Sequence, residues 1–184
     1  MDMAGETTGR HGRTGIVDVA VRLLDEHGLP DLTMRRLAAE LDVRPSALYW
    51  HFDSKQVLLA AVADRIVGEA VAPEGAAVGD VAGALRDALL RHRDGAEVVL
   101  SSQALSLGAD EARRRIAEAL PADVGAAGAA ALLPFVLGHA SIVQQRLQAA
   151  RMGVLDTPPD VIAAEAEADF AAGLRIVLAG LGVA

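Results

Sequence analysis

Residues 33–55, TMRRLAAELDVRPSALYWHFDSK, constrain this chain more than any other stretch. They place two short helical patterns on either side of a tight turn, with a polar and aromatic surface on the second. Met34, Leu37, Ala38 and Leu41 repeat at helical spacing. Thr33 stands ahead of them as an N-cap, whose side-chain oxygen satisfies a free helix N–H. Asp42 occupies the turn, where positive φ is commonly needed and Asp tolerates it better than most residues. Pro45 falls in the first turn of the next helix, where its missing N–H costs nothing. That helix is expected to run through Ser46, Ala47, Leu48, Tyr49, Trp50 and His51, with Leu48 and Phe52 turned to the core. Two helices so joined make a helix-turn-helix, a unit that lays its second helix in the DNA major groove.

The flanks fit the same unit. Ile16, Val19, Ala20, Leu23 and Leu24 form a preceding apolar stripe, stopped by Gly28 and Pro30. Ser54 is the expected cap of a following helix with Val57, Leu58, Ala61, Val62 and Ile66 on its apolar side. Arg44, Pro45, Ala47, Tyr49, Trp50 and His51 are left to the exposed surface. For Trp50 two readings stand, a surface contact and a partly buried core ring. Tyr49 has the hydroxyl of a DNA-backbone contact, and Lys55 reaches the same backbone. The polar N-terminus reads as a flexible arm; Arg10, His11 and Arg13 either touch phosphates or belong to a solvated tail.

Composition sets the class. Hydrophobic residues make up 52% of the 184 and charged ones 23%, enough for a buried core. Ala is abundant and alternating valine-rich runs are absent, so the fold class is all-α. The chain has no cysteine, which excludes disulfides, thiolate metal sites and cysteine nucleophiles. No apolar signal core opens the sequence, and a cytoplasmic location is expected. The net charge of −8 is unusual for a nucleic-acid binder. Residues 1–55 carry seven Lys and Arg against nine Asp and Glu, so this segment is no basic domain either. Locally, Arg35, Arg36, Arg44 and Lys55 gather around the turn.

LTMRRLAAELDVRPSALYWHFDSKQVLLAAVADRI resembles the N-terminal domain of the tetracycline-repressor (TetR) family over about residues 14 to 67. The residues that carry it are the T-x-R-x-L-A-x-x-L-x-V start, then LYWHF, then the capped turn and Lys55. The resemblance implies three DNA-binding helices, a fourth linking them to a helical ligand-binding and dimerisation domain, and no enzyme activity. By position it implies phosphate contacts for Thr33, Tyr49 and Lys55. Arg35 takes a place that reaches a base edge, where arginine suits guanine. Arg44, Pro45, Ala47, Trp50 and His51 take the base-facing stretch. The expected boundaries are 1–13 for the arm, 14–56 for the DNA-binding domain and 57–184 for the remainder.

Past that, residues 72 to 80, APEGAAVGD, read as a break before a helix marked by Val81, Leu85, Ala88 and Leu89. HRDG at 92–95 matches the wording of a kinase catalytic loop, but lacks the following Asn and any glycine-rich loop. ALLRHRDGAEVVLSS resembles the tetracycline-repressor ligand domain instead. There the tetracycline repressor's magnesium-holding histidine is replaced by Val99, which cannot ligate a metal and argues against magnesium–tetracycline as the effector; no metal or cofactor is expected. Residues 124 to 143 carry no formal charge and are long enough for a membrane span. Their Gly and Ala content, Pro134, His139 and the lack of a basic flank favour a buried or dimer-forming helix. A last apolar stripe, Ile162, Ala166, Phe170, Leu174, Val177, Leu178 and Leu181, packs on something; the resemblance implies a four-helix homodimer interface.

Ser102, Gln103, His139, Gln144 and Gln145 are polar groups set among apolar helices, with Leu105, Phe135 and Met152 as candidate cavity wall. The best-supported reading is a ligand-responsive regulator, a repressor released from a palindromic double-stranded DNA operator by a small-molecule effector. The alternatives are an activator and a helical interaction protein. No HExxH, GxSxG or P-loop pattern supports an enzyme.

Overall fold

The computed structural model describes residues 12–183. They form nine α-helices, and no strand occurs among them. Helix α1 (Arg13–His27) buries Ile16, Val19, Ala20, Leu23 and Leu24 on its expected stripe, with Val17 added. Gly28 ends it at φ 84, its N–H donating to the Leu24 carbonyl at 2.7 Å. Arg13, counted with the arm in the sequence, is the first residue of this helix; Arg10 and His11 lie outside the described residues. Helices α2 (Met34–Glu40) and α3 (Pro45–Tyr49) follow, then the connecting helix α4 (Lys55–Gly68). Helix α3 is shorter than its sequence suggests. It stops at Tyr49, with Trp50 as cap, and the His51 and Phe52 N–H groups both return to the Leu48 carbonyl, at 3.0 and 2.9 Å.

The C-terminal helices are α5 (Val78–Arg91), α6 (Gly95–Ala104), α7 (Asp110–Glu118), α8 (Gly125–Arg151) and α9 (Pro159–Gly180). Helix α5 begins inside the expected break, because Val78 is buried and Asp80 suits the positive end of the helix dipole. Helix α8 is the axis of this part and packs against α5, α6, α7 and α9. It is long and apolar enough to cross a membrane by length and composition. Here it is instead a core helix, burying Leu132, Leu133, Val136, Leu137 and Ala140. It runs unbroken through Pro134. On α9, Ile162, Ala166 and Phe170 are buried, while Leu174, Val177, Leu178 and Leu181 remain half-exposed.

The HRDG turn between α5 and α6 ties α1 to this core. His92 is buried between two carboxylates: Nδ1 lies 3.1 Å from Asp25 of α1 and Nε2 lies 3.0 Å from Glu69, just past α4. The Arg93 N–H donates to Asp25 at 3.1 Å, and the Leu29 N–H donates to Asp94 at 2.8 Å. Gln144 of α8 closes the turn from the other side. Its amide donates to the Leu89 and His92 carbonyls, at 2.9 and 2.7 Å, and its oxygen accepts the Ala96 N–H at 3.1 Å. Asp94 takes φ 56 to make the bend. A side chain at Gly28 would come within 2.9 Å of Arg93 and Asp94, so glycine is needed there for approach as well as for φ.

Candidate nucleic-acid interface

Three local devices build the surface around the turn. The Thr33 Oγ1 accepts the Arg36 N–H at 3.1 Å, which starts α2 and leaves Arg35 exposed one residue earlier. Asp42 sits at φ 55, and the Val43 N–H returns to the Ala38 carbonyl at 2.9 Å, so the chain reverses sharply. Arg44 is the extended N-cap of α3, with Pro45 at its first position. The end of α3 is tethered from α1: Arg13 Nη1 donates to the His51 carbonyl at 2.6 Å, and its guanidinium lies 4.4 Å over the Phe52 ring. Ser54 Oγ then accepts the Val57 N–H at 3.2 Å and sets Lys55 as the first residue of α4.

Thr33, Arg35, Arg44, Pro45, Tyr49, Trp50 and His51 are all exposed, and Ala47 and Lys55 are half-buried. Trp50 is 86% exposed and Tyr49 49%, so the reading of Trp50 as a partly buried core ring is wrong. Leu48 and Phe52 are the side chains of this segment that bury in the core beneath. Neighbouring cations are neutralised: Arg22 pairs with Glu40 at 2.7 Å and Arg36 with Asp31 at 3.9 Å. Arg35, Arg44 and Lys55 have no ion pair among the described residues. The result is a surface with two adjacent exposed aromatics, hydroxyls and uncommitted positive charge. Sequence reasoning placed Arg13 in a tail and missed its role as a tether. Its position three residues ahead of Ile16 was the available signal.

The residues nominated for a ligand do not converge on one place. Ser102 is buried, its hydroxyl bonded to the Val98 carbonyl at 2.8 Å; with Leu105 it lines a cavity of about 290 Å3 beside Lys55. Gln103 donates to the Ala109 carbonyl at 2.9 Å. Phe135 and His139 join Phe170 in a ring cluster between α8 and α9, with Phe135 stacked on Phe170 at 5.6 Å. His139 Nε2–H donates to the Ala166 carbonyl at 3.0 Å. Burial, and then the nearby Arg86 charge, push this imidazole below the ordinary histidine range. Gln144 and Met152 line a crevice of about 570 Å3 between α1, the α5–α6 turn and α8. Gln145 is exposed and lies 3.4 Å from the Ser141 hydroxyl. A further cavity of about 500 Å3, at the end of α4 and against α7, holds none of the nominated residues. Val99 is fully buried.

Known proteins share this arrangement. The family of bacterial regulatory proteins named tetR matches residues 16–62. The class D tetracycline repressor protein of Escherichia coli is 37% identical over 102 residues, covering 51% of this chain and 47% of that protein. The chain thus spans about half the length of the curated relatives it matches. The crystal structure of Mycobacterium smegmatis BioQ is 38% identical and superimposes with a TM-score of 0.79, covering 92% of this chain and 97% of that one. BioQ bound to its double-stranded DNA operator is 37% identical over 94% of this chain and 99% of that one, with a TM-score of 0.75. A TetR variant from Acinetobacter baumannii in complex with minocycline is 26% identical, with a TM-score of 0.70 over 93% and 96% of the two chains. With helix-turn-helix and helical core matched together along nearly the whole chain, the protein belongs to the TetR family of bacterial transcriptional regulators.

Proposed function

We propose that the protein is a ligand-responsive repressor that binds a palindromic DNA operator as a homodimer. The observation that carries the reading is the surface of α3. A tryptophan 86% exposed beside a half-exposed tyrosine on a five-residue helix is unfavourable in water unless a partner covers it. The adjacent unpaired Arg35, Arg44 and Lys55 suit a polyanion. Thr33, Tyr49 and Lys55 hold phosphates in this reading, and Arg35, Arg44, Pro45, Ala47, Trp50 and His51 meet the bases. Residues 14–56 act as the reading unit and 57–184 as the ligand-binding and dimerising unit, working in the cytoplasm. A dimer places two α3 helices about one DNA turn apart, as a palindrome requires. The operator complex of BioQ and the minocycline complex of the Acinetobacter protein support a DNA partner and a small-molecule effector. As a regulator the chain needs no catalytic residues.

Selection of bound duplexes from a random pool tests this, with a Tyr49→Phe, Lys55→Ala double variant as control. A palindrome enriched by the native chain and lost by the variant is expected. No enrichment at low salt would overturn the DNA reading in favour of a helical interaction protein. Reporter expression that rises when the gene is removed is expected of a repressor; a fall identifies an activator.

A further inference from the structure

The HRDG turn is the one sequence motif that DNA reading does not use, and it forms one wall of a crevice. We infer that this crevice, between the end of α1, the α5–α6 turn and the last turns of α8, binds an effector with an anionic head and an apolar body. The inference rests on the proposed regulatory reading and names the site and ligand class for it.

The volume, about 570 Å3, is that of a small-molecule site. Its electrostatics set the sign of the ligand. The two carboxylates on its wall are already engaged: Asp25 by His92 and the Arg93 N–H, Asp94 by the Leu29 N–H. Two guanidiniums have no carboxylate partner among the described residues. The Arg93 side chain makes one hydrogen bond, to the Glu26 carbonyl at 3.3 Å, and no carboxylate pairs with it among the described residues. Arg151, in the last turn of α8, has no ion pair among them either. Both line the crevice, with the Gln148 amide between them in sequence on the α8 side. A carboxylate, sulfonate or phosphate is the group that two uncommitted guanidiniums hold best. Leu90 and Leu147 supply the apolar wall.

The placement couples binding to DNA reading. Asp25 belongs to α1 of the reading unit, whereas Gln144, Leu147 and Arg151 belong to the core helix α8. An occupant that touches both sides makes different contacts at different spacings of the two. Such differential contact is what a ligand needs to shift a conformational equilibrium. The cavity at the end of α4 lacks this property, since α1 contributes nothing to its walls.

The probe for the test is 8-anilinonaphthalene-1-sulfonate, an anion with an apolar body, beside its uncharged analogue N-phenyl-1-naphthylamine. Fluorescence titration of the full chain is compared with an Arg93→Gln, Arg151→Gln double variant. Neither side chain is in an ion pair among the described residues, so an unchanged melting curve is the folding control. Loss of two charge-assisted contacts is expected to weaken the sulfonate at least about tenfold, and the neutral analogue less than about twofold. Selected operator duplex is expected to weaken sulfonate binding, and the sulfonate to weaken operator binding by the same factor. Equal effects of the variant on both probes would overturn the site. Arginine-dependent binding that leaves operator affinity unchanged would overturn the effector role. A native chain that selects no duplex sinks the regulatory reading instead, while the arginine dependence still decides the anion site.

Discussion

Gln144→Leu is the sharpest perturbation of the joint between α1 and the core. The two side chains are close in volume, so packing is largely kept while three hydrogen bonds vanish. Two carbonyls, Leu89 and His92, lose their donor, and the Ala96 N–H loses its acceptor. A neutral hydrogen bond contributes about 1 kcal/mol net, and groups left unsatisfied in a part-buried place raise the cost, so roughly 3 kcal/mol is expected in all. For a chain of this size that lowers Tm by about 6–12 °C. Gln144→Glu refines the logic. A carboxylate keeps the acceptor for Ala96 but faces two carbonyl oxygens with no proton. The fold therefore favours the protonated acid and raises its pKa. Its stability is present at low pH and is lost as pH rises from the ordinary glutamate value through the raised folded value. Thermal melts by circular dichroism from pH 4 to 8 are the assay. The leucine variant should stay depressed throughout, and the glutamate variant should approach native stability only at the acid end. A leucine variant melting within about 2 °C of the native chain would refute the reasoning, because the three bonds would then carry almost no net stability.

Trp50→Ala should cost at least about tenfold in operator affinity while leaving Tm unchanged, since an exposed ring leaves no cavity behind; fluorescence anisotropy and a thermal melt read the two effects. Ser54→Ala removes the cap on the Val57 N–H and should destabilise by about 1 kcal/mol in urea unfolding. Burial, and then Arg86, push the His139 imidazole below its ordinary range, against the Ala166 carbonyl, Asp169 and Glu167. Its folded pKa lies below the unfolded one, so stability should be full above about pH 6.5 and decline as pH falls through that value toward the depressed one. His139→Gln should flatten that part of the pH profile of unfolding; an unchanged slope would show that His139 does not titrate between the two states.

The reading unit was legible because its signals are local. Caps, a turn residue and a proline act within four residues of where they stand, so Thr33, Asp42, Pro45 and Ser54 declare their geometry in one dimension. Trp50 was ambiguous because exposure depends on which neighbours bury, and here Leu48 and Phe52 bury while Trp50 does not. Helix α7 went unread. Its sequence DEARRRIAE offers two buried residues, Ala112 and Ile116, too few to form a period. Its charges instead satisfy one another, as Arg114 does with Glu111 and Glu118. The ligand nominations scattered because a cavity is a property of several helices at once. Polar residues in apolar helices are as readily consumed by backbone groups, as Ser102 and Gln103 are. The HRDG turn shows the same limit. Its partners Asp25 and Gln144 lie 67 and 52 residues away from His92, and nothing in the turn itself points to either.

The acidic balance of the chain follows from where its charges are committed. A net −8 disfavours approach to a polyanion anywhere except where positive charge stands uncompensated. Around the turn that condition is met by pairing, not by excess. Arg22, Arg36 and Arg65 are matched to Glu40, Asp31 and Asp18, while Arg35, Arg44 and Lys55 are left open. Few phosphates are then neutralised per protomer, so sequence-independent attraction is weak and its salt dependence shallow. Under the proposed function, affinity comes from the aromatic and base-edge contacts of α3, which form only in the correct register. Measuring operator affinity against salt separates the two contributions. A slope of no more than about three phosphates per protomer, the number of open cations, agrees with this division, and a Glu26→Gln, Glu40→Gln double variant should steepen it by removing both of Arg22's partners. A slope that this double variant leaves unchanged would mean that Arg22 lies beyond reach of the DNA, and that the open cations alone define the contact.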